Sequence, residues 1–245
     1  MFYFEIFIVS TVLSAFFALG GVGSAVALIP VLHWMGIDFN FAKAIGLFVN
    51  TTTTVTATIM NIKRKVLDIK FALPLAISLA AFSPIGALYS KHVPVHEVKW
   101  LFALFLFFSA SMILFGKKEQ KFHFTKPWIM VLIGAVVGFI SGLLGIGGGA
   151  LLMPVLILLG FDAKKLAVTL SFVIPFSTFA AFLTYMSFVK IDWVILGVAT
   201  LGAIAGGYIG NYFMHFKLEQ HHIKKIIGIL LYIIAFKMIW SLINS

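Results

Sequence analysis

The chain contains no cysteine, which excludes disulfide bridges, thiol nucleophiles and thiolate metal sites and leaves the redox compartment unspecified. Charge is almost as scarce. Asp, Glu, Lys and Arg together make 11% of the residues, and only 8 of 245 are acidic, whereas a water-exposed domain carries about 25% charged residues. With so few ionisable groups, a convergent set of His, Asp, Glu or Ser inside a bilayer is not available, so enzymatic chemistry is not expected. No P-loop is present, which argues against intrinsic ATP drive. His221 and His222 have no partner at metal-ligand spacing, and no metal or other cofactor is expected.

What is abundant is apolar. Hydrophobic residues make 62% of the chain, and runs of the roughly 20 residues needed to cross a hydrocarbon core of about 30 Å recur along nearly all of it. The solvent is lipid, and no soluble domain of any size remains. The net charge of +10 comes from short lysine clusters between apolar segments rather than from a stripe interleaved with aromatics, so it reads as topology signal and headgroup contact and not as a nucleic-acid surface. Met1–Gly20 is apolar but carries Glu5 in place of a basic leader, and reads as a retained span.

Hydropathy divides the chain into segments near 2–19, 24–36, 40–62, 70–90, 97–115, 128–144, 149–160, 163–187, 193–214 and 222–243. The second half repeats the first. A shift of 124 residues superimposes Gly23 on Gly147, Pro30 on Pro154, Gly36 on Gly160, Asp38 on Asp162, Thr54 on Thr178, Asp68 on Asp192 and Gly86 on Gly210. Apolar bias does not align glycines, a proline and aspartates in one register, so the chain is a duplication. It is expected to form one repeat over 1–115, a basic cytoplasmic linker over 116–127 and a second repeat over 128–245. If each glycine-broken segment counts as one span, each half has four crossings and the halves are parallel; re-entrant arms are a further alternative. If the short segments 24–36 and 149–160 count as passes, each half has five crossings and the second half is inverted. Most lysines and Arg64 then face the cytoplasm, leaving Lys43, Lys91, Lys99 and Lys190 outside, as the positive-inside rule requires. The expected fold is an all-α polytopic bundle of two inverted repeats with glycine-broken helices.

Two breaks carry the functional reading. Gly20-Gly21-Val22-Gly23-Ser24 and Gly145-Ile146-Gly147-Gly148-Gly149 each separate apolar helical stretches, and each is followed by a proline, Pro30 or Pro154. Glycine costs about 1 kcal/mol relative to alanine inside a helix, and backbone freed by such a break cannot face lipid. It lines a cavity or lies buried in protein. The next helix then begins with unpaired N–H groups and a positive dipole end, which suit an anion. The alternative is that these glycines only permit close helix packing.

Hydroxyls form a second constellation: Asn50, Thr51, Thr52, Thr53 and Thr54 align with Pro175, Ser177 and Thr178, with Ser171 just before. Each hydroxyl offers one donor without a full charge, or bonds back to the preceding turn. The candidate substrate-binding residues are therefore Gly21, Gly23, Ser24, Asn50, Thr51, Thr52, Thr53, Thr54, Gly145, Gly147, Gly148, Gly149, Ser171, Pro175, Ser177 and Thr178. Asp38, Asp68, Asp162 and Asp192 sit at segment ends, where capping is expected. Lys237 is expected to snorkel to the headgroups. The rows Gly134/Gly138/Gly142 and Gly202/Gly206/Gly210 are expected to serve close packing, within the chain or between protomers of a homodimer.

The duplicated halves, Gly-Ile-Gly-Gly-Gly before Pro154, the degenerate Gly-Gly-Val-Gly-Ser before Pro30, and Asp68 and Asp192 ahead of long spans together resemble the sulfite exporter TauE/SafE family of membrane permeases. The resemblance implies secondary transport of sulfur-containing anions such as sulfite, sulfoacetate or related organosulfonates across a cell inner membrane, coupled to a proton or sodium gradient or to the anion's own. Ser24 and Ala25 stand where the second half has Gly148 and Gly149. The competing class is a membrane-embedded binding or assembly subunit that transports nothing by itself, which fixed-stoichiometry co-purification with another protein would reveal.

Overall fold

In the computed structural model, residues 1–20, 23–67, 69–115, 127–159, 161, 163–216 and 220–244 are described. They form ten helices and, among the described residues, no strand: α1 (Phe2–Gly20), α2 (Ala25–Trp34), α3 (Phe39–Lys63), α4 (Ile69–Ser90), α5 (Val95–Phe115), α6 (Pro127–Leu144), α7 (Gly149–Leu158), α8 (Ala163–Met186), α9 (Trp193–Phe216) and α10 (Gln220–Ile243). The linker call, Gly21, Asp68, Gly160 and Asp162 fall on positions outside the described residues, apart from Pro127 at the start of α6.

Local chemistry sets several of the ends. Asp38 caps α3, its Oδ1 accepting from the Asn40 and Phe41 amides at 3.0 Å, and Asp192 caps α9 through Val194 and Ile195. Each carboxylate satisfies two of the first-turn N–H groups that a helix leaves unpaired. Five described helices, α4, α5, α8, α9 and α10, contain stretches long and apolar enough to cross a membrane. Leu104, Ile77, Leu201 and Ile233 point outward from them, as lipid-facing side chains do.

The glycine rows decide how helices pair. A Cβ on Gly206 would run into the Thr11 carbonyl of α1, one on Gly210 into the Ala15 carbonyl, one on Gly142 into the Ser83 carbonyl of α4, and one on Gly86 into the Phe139 carbonyl of α6. The rows thus bring α9 against α1 and α6 against α4 at backbone distance, each time joining a helix of 1–115 to one of 128–245. Both rows act within the chain. Gly206→Val, which places branched carbon against a carbonyl that cannot yield, is expected to lower the apparent unfolding temperature in detergent by at least about 5 °C, readable by thermal-shift fluorimetry.

At the centre, α3 and α8 run antiparallel. Phe48 packs on Phe182 with ring centroids 4.7 Å apart, Thr51 meets Thr178, and Thr58 meets Ser171. The short helices α2 and α7 have 10 residues each, about 15 Å of rise, so neither crosses a core of about 30 Å alone. Of the two arrangements the sequence leaves open for them, separate passes and re-entrant arms, this length fits re-entrant arms. Ala25 and Ile29 of α2 face Gly46 and His33 packs on Phe39, so α2 starts near the middle of α3 and ends where α3 begins.

Candidate functional site

The two breaks meet on one side chain. Gly23 and Gly147, paired by the 124-residue shift, both take left-handed backbone, with φ of +88° and +71°, a conformation that disfavours any residue with a Cβ. A Cβ on Gly23 would land on the Asn50 amide; one on Gly147 would land on the Thr178 methyl and, at 2.7 Å, on Asn50 Nδ2. Asn50 lies midway along α3 and is fully buried. Its Nδ2 donates to the Ile146 carbonyl at 3.3 Å, inside the second break, while its Oδ1 is buried without a hydrogen-bond partner.

Beside this amide are the Thr51 and Thr178 hydroxyls, 2.7 Å apart across the two helices and each also bonded back to its own helix, at Leu47 and Ile174, and Ser24, whose Oγ is also buried and unpartnered. Ser24 and Gly148 are the N-cap positions of α2 and α7, and neither provides a side-chain cap. Both half-helices therefore start beside Asn50 with N–H groups that no cap satisfies, and with positive dipole ends. An unmatched acceptor and hydroxyl in such a place are costly, about 1–3 kcal/mol for each group, and buried polar groups left in this state call for an explanation. The surroundings are closed: Asn50, Thr178 and, at Gly148, Leu79 fill the space that the missing side chains leave. The side chain that the two breaks share, Asn50, is nevertheless polar.

The structure gathers Gly23, Ser24, Asn50, Thr51, Gly147 and Thr178, with Gly148 and Gly149 at the start of α7 and Gly145 against Lys43. It does not bring in the rest. Thr52 and Thr53 bond back to the Val49 carbonyl, and Thr53 packs on Gly207 of α9; Thr54 returns to the Asn50 and Thr51 carbonyls. Ser177 bonds to Ile174, and its carbonyl accepts from Ser83 of α4. Ser171 is bonded to Asn61, toward the far end of α3.

Pro175 opens a backbone gap that is then sealed. Lacking an N–H, it leaves the Ser171 carbonyl without its helical donor, and the Thr58 hydroxyl supplies one from α3 at 2.6 Å. Thr58→Val is expected to destabilise by about 1–3 kcal/mol, seen as a lower unfolding temperature. In a Pro175→Ala background, where the amide at 175 again reaches Ser171, most of that loss disappears.

Sequence reasoning missed Lys43. Counted there only as a charge on the outer side of the membrane, it is fully buried in α3, its Nζ donating to Ser90 Oγ at 2.7 Å and its stem covering Gly145. The available signal was a lysine between the apolar residues Phe41–Ala42 and Ala44–Ile45, seven positions before Asn50, and an ionisable residue so placed is a functional candidate. Lys237, expected to snorkel, lies over the Trp34 ring at 4.1 Å.

Long lipid-compatible helices around two half-helices whose broken starts meet on a buried polar side chain define a polytopic membrane protein of the permease class. The chain belongs to the family described as sulfite exporter TauE/SafE, whose model matches residues 6–238. It is 27% identical to probable membrane transporter protein YunE of Bacillus subtilis, over 92% of this chain and 93% of that one. It is 25% identical to probable membrane transporter protein MJ0441 of Methanocaldococcus jannaschii, over 76% of each, and 26% identical to probable membrane transporter protein YjnA of B. subtilis, over 85% and 89%. No solved structure matches the chain significantly. It is a membrane transporter of the TauE/SafE type.

Proposed function

We propose that the chain is a secondary transporter, working as an exporter, of small sulfur-containing anions such as sulfite, sulfoacetate or related organosulfonates, in a bacterial-type inner membrane. The observation that carries this reading is the meeting of both glycine breaks on Asn50. In the liganded state the α2 and α7 amides, the Asn50 amide and the Thr51 and Thr178 hydroxyls replace part of the water shell of an oxyanion, without a fixed charge that would hold it too tightly. Because every one of these side chains is buried, the conformation described is an occluded one, and the site opens by relative movement of the halves.

The antiparallel course of the repeat-equivalent helices α3 and α8 supports inverted halves rocking about this site, and the glycine-row pairings α1 with α9 and α4 with α6, which exchange when the halves are swapped, support the two-fold relation between them. A proton or sodium gradient, or the anion's own, supplies the drive. The test is sulfite and sulfonate flux by the purified chain in proteoliposomes. Saturable flux above empty vesicles is the expected result; none, with folded protein, removes the carrier reading.

A further inference from the structure

Lys43 is held in a way that a purely structural lysine would not be. Its ammonium has three donors, and Ser90 takes one of them. The remaining neighbours are the Phe39 and Tyr185 rings, with centroids 5.4 and 5.0 Å away; the Tyr185 hydroxyl donates to the Gly142 and Leu143 carbonyls and also engages Ser90. Among the described residues no carboxylate pairs with it; Asp38, five residues earlier, is used in capping α3. A buried lysine without a paired anion keeps its charge at a cost of several kcal/mol or gives up its proton. Ring faces offset part of that cost, and an anion brought alongside would offset the rest.

The same Phe39 ring lies 5.5 Å from a second ammonium, that of Lys99. Lys99 is half-exposed and lines a small pocket of about 50 Å³ together with Pro30, His33, Trp34 and the end of α10. The pocket sits at the end of the bundle where α3 and α5 begin, and Phe39, 1% exposed, packs on its His33 and has both ammonium groups near its ring. Beyond the ring, Lys43 and Asn50 are seven residues apart on α3, hence on one face and about 10 Å apart. The second break touches both, Gly145 at Lys43 and Gly147 at Asn50.

We infer that Lys43, with Ser90, is a second station for small oxyanions, reached from the Lys99 pocket past the Phe39 ring and lying two helical turns before Asn50. The inference rests on the transport reading and extends it: the charge missing from the neutral Asn50 cluster stands at its approach, and Phe39 is the partition that moves aside. Lys99 draws the anion to the pocket, and Lys43 stabilises it during the dehydrated passage.

The test compares wild type, Lys43→Gln, Lys43→Arg and Lys99→Gln in proteoliposomes of known orientation, with sulfite supplied on either side. Lys43→Gln is expected to lower flux at limiting sulfite at least tenfold, mainly through a higher half-saturation concentration, and Lys43→Arg to keep most of it. Lys99→Gln is expected to raise half-saturation severalfold only when sulfite is on the side where α3 begins. Wild-type half-saturation in a folded Lys43→Gln overturns the inference while leaving the carrier intact. If Lys43→Gln does not fold, an unchanged Lys99→Gln on both sides overturns it. If wild type carries no sulfite, the carrier reading falls, and the station is judged by thermal shift: sulfite stabilising wild type but not Lys43→Gln upholds it, and equal responses overturn it.

Discussion

Asn50→Leu is expected to reduce sulfite flux by roughly ten- to a hundredfold while the protein still extracts and folds, because a hydrogen bond to a charged group contributes about 1.5–3 kcal/mol. Leucine nearly matches asparagine in shape, so the packing of Gly23 and Gly147 against residue 50 is retained. The Ile146 carbonyl loses its donor, and the unpartnered Oδ1 is removed with the amide. Stability therefore changes little, and what is lost is the group that both breaks share. Asn50→Asp separates charge from shape. A carboxylate at this position repels an anion across a few ångströms of low-dielectric interior, so flux of sulfite and sulfonates should fall below that of Asn50→Leu. A variant that transports as well as wild type would mean that the substrate is not an anion bound at Asn50. Initial rates in proteoliposomes, normalised to the monodisperse protein recovered, decide between these outcomes.

Gly147→Ala is expected to abolish measurable flux, and the comparison with Gly36→Ala shows why. Both glycines have left-handed φ, +71° and +94°, so both substitutions carry a strain of about 1–2 kcal/mol. At Gly36 nothing lies within 4 Å of the added carbon; at Gly147 that carbon falls on the Thr178 methyl and the Asn50 amide. Gly36→Ala thus measures strain alone and should lower the unfolding temperature by a few degrees with flux intact. Gly147→Ala adds overpacking of about 1–3 kcal/mol and blocks approach to the α7 amides. Equal flux in the two variants would mean that the second break is a packing device and nothing more.

The elements most legible in the sequence were those fixed by local chemistry or by repetition. Asp38 and Asp192 cap helices as their positions at segment ends implied, the glycine rows bring backbones together, and Gly23 and Gly147, aligned by the shift of 124, share one conformation. Hydroxyl density was a poorer guide. The threonines of α3 share one composition, but a helix spreads its residues around its axis, so Thr53 meets α9 while Thr51 meets α8. Pro175 suggested an open gap because the sequence does not display Thr58, 117 positions earlier, supplying the missing donor. Lys43 was hidden for the same reason. Its place near the start of α3 looks superficial until Ser90, Tyr185 and Gly145 close over it.

All of this depends on an oxyanion displacing side chains from the meeting point of the two half-helices. Crystals of the wild-type protein soaked with selenite, the heavier analogue of sulfite, would test that directly through the anomalous signal of selenium. A difference peak is expected within hydrogen-bond reach of Asn50, flanked by Thr51, Thr178 and the first amides of α2 and α7. A protein that transports sulfite yet shows, at saturating selenite, no peak there and the breaks still packed on Asn50 would contradict it.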